Sequence, residues 1–286
     1  MPVSFFLQMF LNGLQLASVY ILIALGFTLI FGILQIVNIA HGSIYMLGGY
    51  GIWLLFVSLK LNYFLSLFFT SVIVALIGLA IERIIFRRLR GLMMSTIIAS
   101  IGVMGFIEQS ALLGFGVTHK IIPNPFPGML RFWGTVFPIQ RLVIMIFGIA
   151  LTVAVIWWIR RTKAGLALRA VSQDGEVAAL YGINSVRYGS LTFGIGCGLA
   201  GAAGALMAPV FYVTPFIGHG PLLKIFVIIV IGGLGSVPGA VLAGVLLGLI
   251  DSFVTTLIDS ESAAMFGFIM IVVMLVFKPK GFFGHE

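Results

Sequence analysis

Apolar residues in this chain run almost unbroken for about 18 positions or more, one stretch after another, with short polar punctuation between them. Each stretch is long enough to cross a hydrocarbon layer about 30 Å thick as a single helix. The pattern predicts an all-α, polytopic membrane protein with runs at about 5–33, 42–59, 63–82, 93–117, 139–159, 189–212, 222–253 and 263–277. The first run has no basic stretch before it and is too long for a signal-peptide core, so it reads as a retained helix. Composition agrees: 61% of 286 residues are hydrophobic, 8% are charged, and 36 are glycine. That is more apolar surface than one soluble core can bury.

The formal charge of +8 sits between the apolar runs and forms no continuous face, which argues against nucleic acid as a partner. Its two clusters, Arg83, Arg87, Arg88, Arg90 and then Arg160, Arg161, Lys163, Arg169, Arg187, are assigned to the cytoplasm by the positive-inside tendency. Counting spans outward from them puts the N-terminus, the Lys60–Asn62 turn, the proline-rich segment from Pro123 to Pro138 and a loop near 214–220 on the other side. The basic pair Lys278 and Lys280 suggests a cytoplasmic C-terminus. That parity requires the 222–253 run to be a broken or re-entrant pair, hinged at the Gly-rich stretch 232–239, and gives about eight to nine membrane elements.

A comparable interruption, Asn38-Ile-Ala-His-Gly-Ser43, separates two runs in the first half. It reads either as an interfacial loop or as a second broken element. Matched breaks in two halves point to a solute pathway, because half-helix ends expose backbone dipoles toward a polar cavity. The candidate pathway residues are therefore Asn38, His41, Ser43, Gly232, Gly233, Gly235 and Ser236. Glu108, inside a span, joins them as an ionisable group costly enough to need a reason. Glu82 and Asp251 lie near span ends and are expected to be solvated. Small residues at i, i+4 spacing, Gly194/Gly198, Gly201/Ala205 and Ala240/Gly244/Gly248, predict close helix contact with a partner left open.

Chemistry is sparse. Cys197 is the one cysteine, no second ligand stands at metal spacing from His41, and no Gly-x-x-x-x-Gly-Lys-Ser/Thr, Gly-x-Ser-x-Gly or His-Glu-x-x-His occurs. Neither a metal site nor a catalytic or ATP-hydrolysing centre of this chain's own is expected.

The exception to the apolar pattern is the loop 160–188. Within it Asp174 can cap a two-turn helix, Glu176 suits the first turn, and Gly182 can end it. Val177, Leu180 and Tyr181 then share one side. Two carboxylates fit an anionic headgroup surface poorly, so a cytoplasmic protein partner fits that side better than lipid does.

Three stretches, Val37-Asn-Ile-Ala-His-Gly-Ser-Ile-Tyr-Met-Leu-Gly-Gly-Tyr50, Arg169-Ala-Val-Ser-Gln-Asp-Gly-Glu-Val-Ala-Ala-Leu-Tyr-Gly-Ile-Asn184 and Val230-Ile-Gly-Gly-Leu-Gly-Ser-Val-Pro-Gly-Ala240, resemble in order the branched-chain amino acid ABC transporter permeases of the LivH type. The resemblance spans nearly the whole chain. It departs at Glu108-Gln109, where the family pattern carries a neutral Gln-Asn pair, and this bears on the solute. The resemblance implies one transmembrane permease domain, 1–286, in a bacterial inner membrane. It also implies a second homologous permease, two ABC ATPase subunits that use the ATP, a periplasmic solute-binding protein and an amino-acid solute moved by alternating access. This chain would need no cofactor of its own, and Arg169, Asp174, Glu176, Val177, Leu180, Tyr181 and Gly182 would couple it to the ATPases. Related permeases carry urea or short amides; the alternative from another class is a stand-alone secondary transporter.

Overall fold

A computed structural model describes residues 3–278 and 281–283. The apolar runs become helices α1 (Val3–Leu34), α2 (His41–Ile52), α3 (Tyr63–Ile84), α4 (Met93–Phe115), α5 (Ile139–Arg161), α8 (Ser185–Met207), α9 (His219–Gly232), α10 (Val237–Leu257) and α11 (Ser260–Phe277). Two more, α6 (Lys163–Gln173) and α7 (Gly175–Leu180), lie in the basic loop. Seven of the nine are long and apolar enough to cross a membrane unaided. The other two are α9, of 14 residues, and α2, which a π-helical stretch Trp53–Ser58 continues. This is the polytopic, all-α architecture that the hydropathy predicts, with nine such elements among the described residues. A small antiparallel hairpin, β1 (Met129–Phe132) with β2 (Thr135–Pro138), joins α4 to α5 at the end of α5 opposite Arg160 and Arg161.

Helix ends follow local chemistry. Asn62, Asn184, Ser236 and Asp259 each stand just before a helix, and the side-chain oxygen of each accepts a backbone N–H of its first turn. Asp259 lies outside the spans. Its carboxyl is held below the usual range by the Ser262 backbone N–H first and the Ser262 hydroxyl second.

Packing then pairs the two halves of the chain. α1 lies along α10, and α8 lies along α3. α1 and α8 cross each other where a Cβ on Gly26 would come 2.5 Å from Gly196 O. Only paired glycines allow that approach. Gly244 and Gly248 of α10 press on Ile21 and Ala17 of α1, while Gly194, Gly198 and Gly201 of α8 press on Leu79, Ala75 and Val74 of α3. The small-residue spacings thus serve contacts within the chain. Exchanging α1, α2, α3 and α4 for α8, α9, α10 and α11 preserves this contact scheme, while the first member of each set starts on the opposite side of the membrane. The fold is an inverted repeat, with α5 to α7 between its halves.

The break at 38–43 is matched in the repeat by the segment 208–218 before α9, and not by the Gly-rich stretch 232–239, which lies between α9 and α10. After α1 the chain turns back as the non-helical segment 35–40, and α2 starts where the His41 Nε2–H donates to Ile23 O at 3.2 Å. Ile23 lies about 16 Å along α1 from Leu34, about half the thickness of a hydrocarbon layer. The segment Asn38–Ser43 is therefore a re-entrant approach to a half-helix and not an interfacial loop. After α8 the segment 208–218 comes back from the outer side, and α9 starts against the first turn of α2: a Cβ on Gly42 would meet Gly218 O at 2.5 Å. From that point α2 runs outward and α9 inward. The hairpin of α9 and α10 is the broken pair that parity requires, turning at Gly233–Ser236 on the cytoplasmic side. The loop near 214–220 corrects the simple outer assignment, since its end reaches the depth of Gly42. On the cytoplasmic side the N–H groups of Phe282 and Phe283 donate to Ile231 O and Gly232 O, at 2.8 and 3.1 Å. The C-terminal segment is tied to that face; Lys280 lies outside the described residues.

Candidate functional site

The first site forms where the half-helices meet. Neither α2 nor α9 has a side-chain cap at its N-terminus, and both begin at the same depth with their positive ends adjacent. Glu108 of α4 reaches both helix starts through side chains of their first turns. Its Oε1 accepts from Ser43 Oγ at 2.8 Å and lies 2.9 Å from His219 Nε2. The carboxylate is 7% exposed, whereas the His219 side chain is 50% exposed. Glu108 lies on the inward stripe of α4 that also carries Thr96 and Ser100, and Ser100 Oγ accepts the Ile39 N–H at 3.1 Å. Asn38 is fully buried with both amide atoms unpartnered, and His41 Nδ1 is unpartnered too. Asn38, His41, Ser43 and Glu108, expected on separate grounds, thus belong to one region.

Gly232, Gly233, Gly235 and Ser236 do not. Gly232 and Gly233 lie about 20 Å from His219 at the far end of α9, in the cytoplasmic turn. They pack tightly there, Gly232 against Gly239, Gly235 against Gly32 and Gly233 against Gly281. Ser236 Oγ caps α10 through the Gly239 N–H at 3.2 Å. These glycines close a backbone turn and line no part of the central cluster.

Glu82 and Asp251 are corrections, since neither is solvated. Glu82 is fully buried and pairs with Arg87 at 3.1 Å and Arg90 at 2.6 Å. Arg87 also donates to Ser190 Oγ at 2.7 Å, which ties α3 to α8. Asp251 is 4% exposed and accepts from Lys224 Nζ at 2.7 Å and from Tyr20 OH at 2.8 Å. A charge near a span end still costs several kcal/mol to bury alone, and a partner offsets that cost; Glu82 finds its partners just after α3, and Asp251 finds Lys224 on α9. Lys224 was missed because it lies inside an apolar run, and nothing local announces its partner 27 residues later. His219 was missed as well, although Ile217-Gly-His-Gly220 repeats the pattern of Ile39-Ala-His-Gly42.

The second site is the cytoplasmic α6–α7 pair. α6 was not expected; it buries Ala167, Leu168 and Val171, three positions at helical spacing, and keeps Lys163 and Arg169 outside. α7 follows the local reading closely. Asp174 Oδ1 accepts the N–H groups of Glu176 and Val177, both at 2.9 Å. At its other end the N–H groups of Gly182 and Ile183 donate to Ala179 O and Ala178 O, and Gly182 takes a φ of 79°. This is a Schellman ending that favours glycine. Leu180 and Tyr181 are 86% and 83% exposed, Val177 is 47% exposed, and only Ala178 turns inward. A cavity of about 800 Å³, bounded by Gly32, Arg160, Leu168, Arg169 and Gly235, separates α6 from the α9–α10 turn. Among the described residues no three His, Cys, Asp or Glu side chains gather as metal ligands.

Two half-helices that meet within the bundle, with a self-capped helix displayed on the face that carries the basic clusters, give this chain the build of a polytopic membrane permease. The comparisons with known proteins are narrower. Residues 9–277 match the family model for the permease component of branched-chain amino acid transport systems, and the chain belongs to that family. It is 33% identical to the high-affinity branched-chain amino acid transport system permease protein BraD of Pseudomonas aeruginosa, over 98% of this chain and 96% of that one. It is 31% identical to LivH of Escherichia coli over the same shares. A probable branched-chain amino acid transport permease protein of Methanocaldococcus jannaschii is 26% identical, over 98% of this chain and 93% of its own. No solved structure is significantly similar to the chain.

Proposed function

We propose that this chain is a permease subunit of an ATP-driven importer that carries branched-chain amino acids across a bacterial inner membrane. In this reading it pairs with a second homologous permease, receives solute from a periplasmic binding protein, and moves it by alternating access past the Glu108 cluster. Two ABC ATPase subunits hydrolyse the ATP, and this chain supplies neither a catalytic site nor a cofactor. The observation that carries the reading is α7: a helix capped at both ends, on the face marked by the basic clusters, with its largest apolar side chains in solvent. Local hydrogen bonds hold it rigid, and Val177, Leu180 and Tyr181 offer anchors for a groove on another protein. Arg169, Asp174 and Glu176 form its polar rim. The cavity beside α6 leaves room for the pair to shift when pushed.

The decisive experiment changes Leu180 and Tyr181 together to aspartate. Membrane insertion should be unaffected, because both side chains are already exposed, while co-purification of the ATPases and ATP-dependent leucine uptake should fall to background. Undiminished complex formation would sink the coupling role. Uptake of leucine by the purified chain alone, without ATP, would make it a stand-alone secondary transporter, and uptake of urea in place of leucine would reassign the solute.

A further inference from the structure

The Glu108 carboxylate is engaged on one side only. Ser43 and His219 both address Oε1, and among the described residues no group donates to Oε2. Apart from His219, no cationic side chain among the described residues lies within 4 Å of either oxygen. The half-exposed His219 shows on which side the cluster opens. At this depth that opening cannot face hydrocarbon, since ionisable side chains within a span face a polar cavity or another protein surface. A carboxylate oxygen with free lone pairs at such an opening is an acceptor awaiting a cation.

The opposite charge preference is present within one helical turn. The first turns of α2 and α9 aim their partial positive charges at the same region and attract an anion. The fully buried Asn38, two residues ahead of the α2 cap, adds amide donors and an acceptor that nothing among the described residues satisfies. One free carboxylate oxygen beside two helix N-termini is the complement of a zwitterion. The geometry points to a head-group subsite: Glu108 Oε2 receives the α-ammonium of an amino acid, and the N-termini of α2 and α9 face its α-carboxylate. The subsite rests on the importer reading and adds to it the atoms that would recognise the solute.

The experiment uses the assembled importer, with leucine and 4-methylpentanoate as probes; the second has the leucine skeleton without the ammonium. Leucine at saturating concentration should raise the thermal unfolding midpoint of the native permease pair by about 2 °C, and 4-methylpentanoate should not. Glu108→Gln keeps an acceptor for Ser43 but loses the charge; it should abolish that shift and lower leucine uptake at least tenfold, while ATP hydrolysis stimulated by loaded binding protein stays within twofold. Equal shifts with both probes, or a shift with neither, overturn the subsite without any variant. Native uptake rates in Glu108→Gln overturn it too, as does a parallel fall of uptake and ATP hydrolysis, which would mark a structural counter-charge. If native uptake proves independent of ATP, it is the importer reading that fails; ATP-driven uptake with no leucine-specific shift rejects the subsite alone.

Discussion

The Glu108 cluster and the α7 helix are both arrangements of helix ends, yet they are made in opposite ways. α7 completes itself within ten residues: Asp174 closes its first turn, Gly182 its last, and its apolar side chains are left over. At Glu108 nothing is completed locally. Two uncapped helix starts from different halves of the chain share a carboxylate from a third element, 65 residues from Ser43 and 111 from His219. The first arrangement can be displayed at a surface because it owes nothing to the fold. The second exists only once the fold has formed, so a change of fold can open or close it.

The contrast can be broken by substitution. The largest effect should come from Gly42→Val, which forces side-chain atoms into the backbone of Gly218 at the seam of the half-helices. We expect no monodisperse protein by size-exclusion chromatography, whereas any substitution at Leu180 should leave the elution profile native. An intermediate effect should follow Asp251→Ala, which strands Lys224 among α9, α10 and α11. A loss of about 2 kcal/mol is expected, seen as a lower thermal midpoint. The double change Lys224→Met with Asp251→Leu should regain most of it, and no recovery would mean that the ion pair does more than neutralise charge. The smallest effect should come from Asp174→Ala. It removes about 1 kcal/mol from α7 alone, so amide exchange should quicken in residues 175–181 while the midpoint of the bundle is unchanged.

The same distinction governs how much could be read from the sequence. The spans, the Asp174 cap and the Gly182 ending were legible, because each depends on the run of residues where it occurs. The α6 helix was legible in principle, through the spacing of Ala167, Leu168 and Val171, but Lys163 and Arg169 made the segment look like loop. Asn38, His41, Ser43 and Glu108 were singled out for being polar or breaking a pattern, and their association was not foreseeable from any of them. Gly232 to Ser236 carried the same kind of signal and proved to be a cytoplasmic turn. A glycine cluster states that backbones come close, and does not state at what depth. The depth of the first break, and the His219 that answers it, were hinted at only by the echo of one Ile-x-His-Gly in another.

The shortness of α9 has a consequence for how the protein is made. Fourteen residues of helix span about 21 Å, less than the hydrocarbon thickness. The segment also carries Lys224, whose counter-charge lies on α10 and is translated later. When α9 leaves the ribosome it has neither the length nor the neutrality to partition into lipid by itself. Insertion of α9 must wait until α10 has followed, so these two helices enter the membrane as one event and a chain stopped after Gly232 should be recognised by quality control as unfinished.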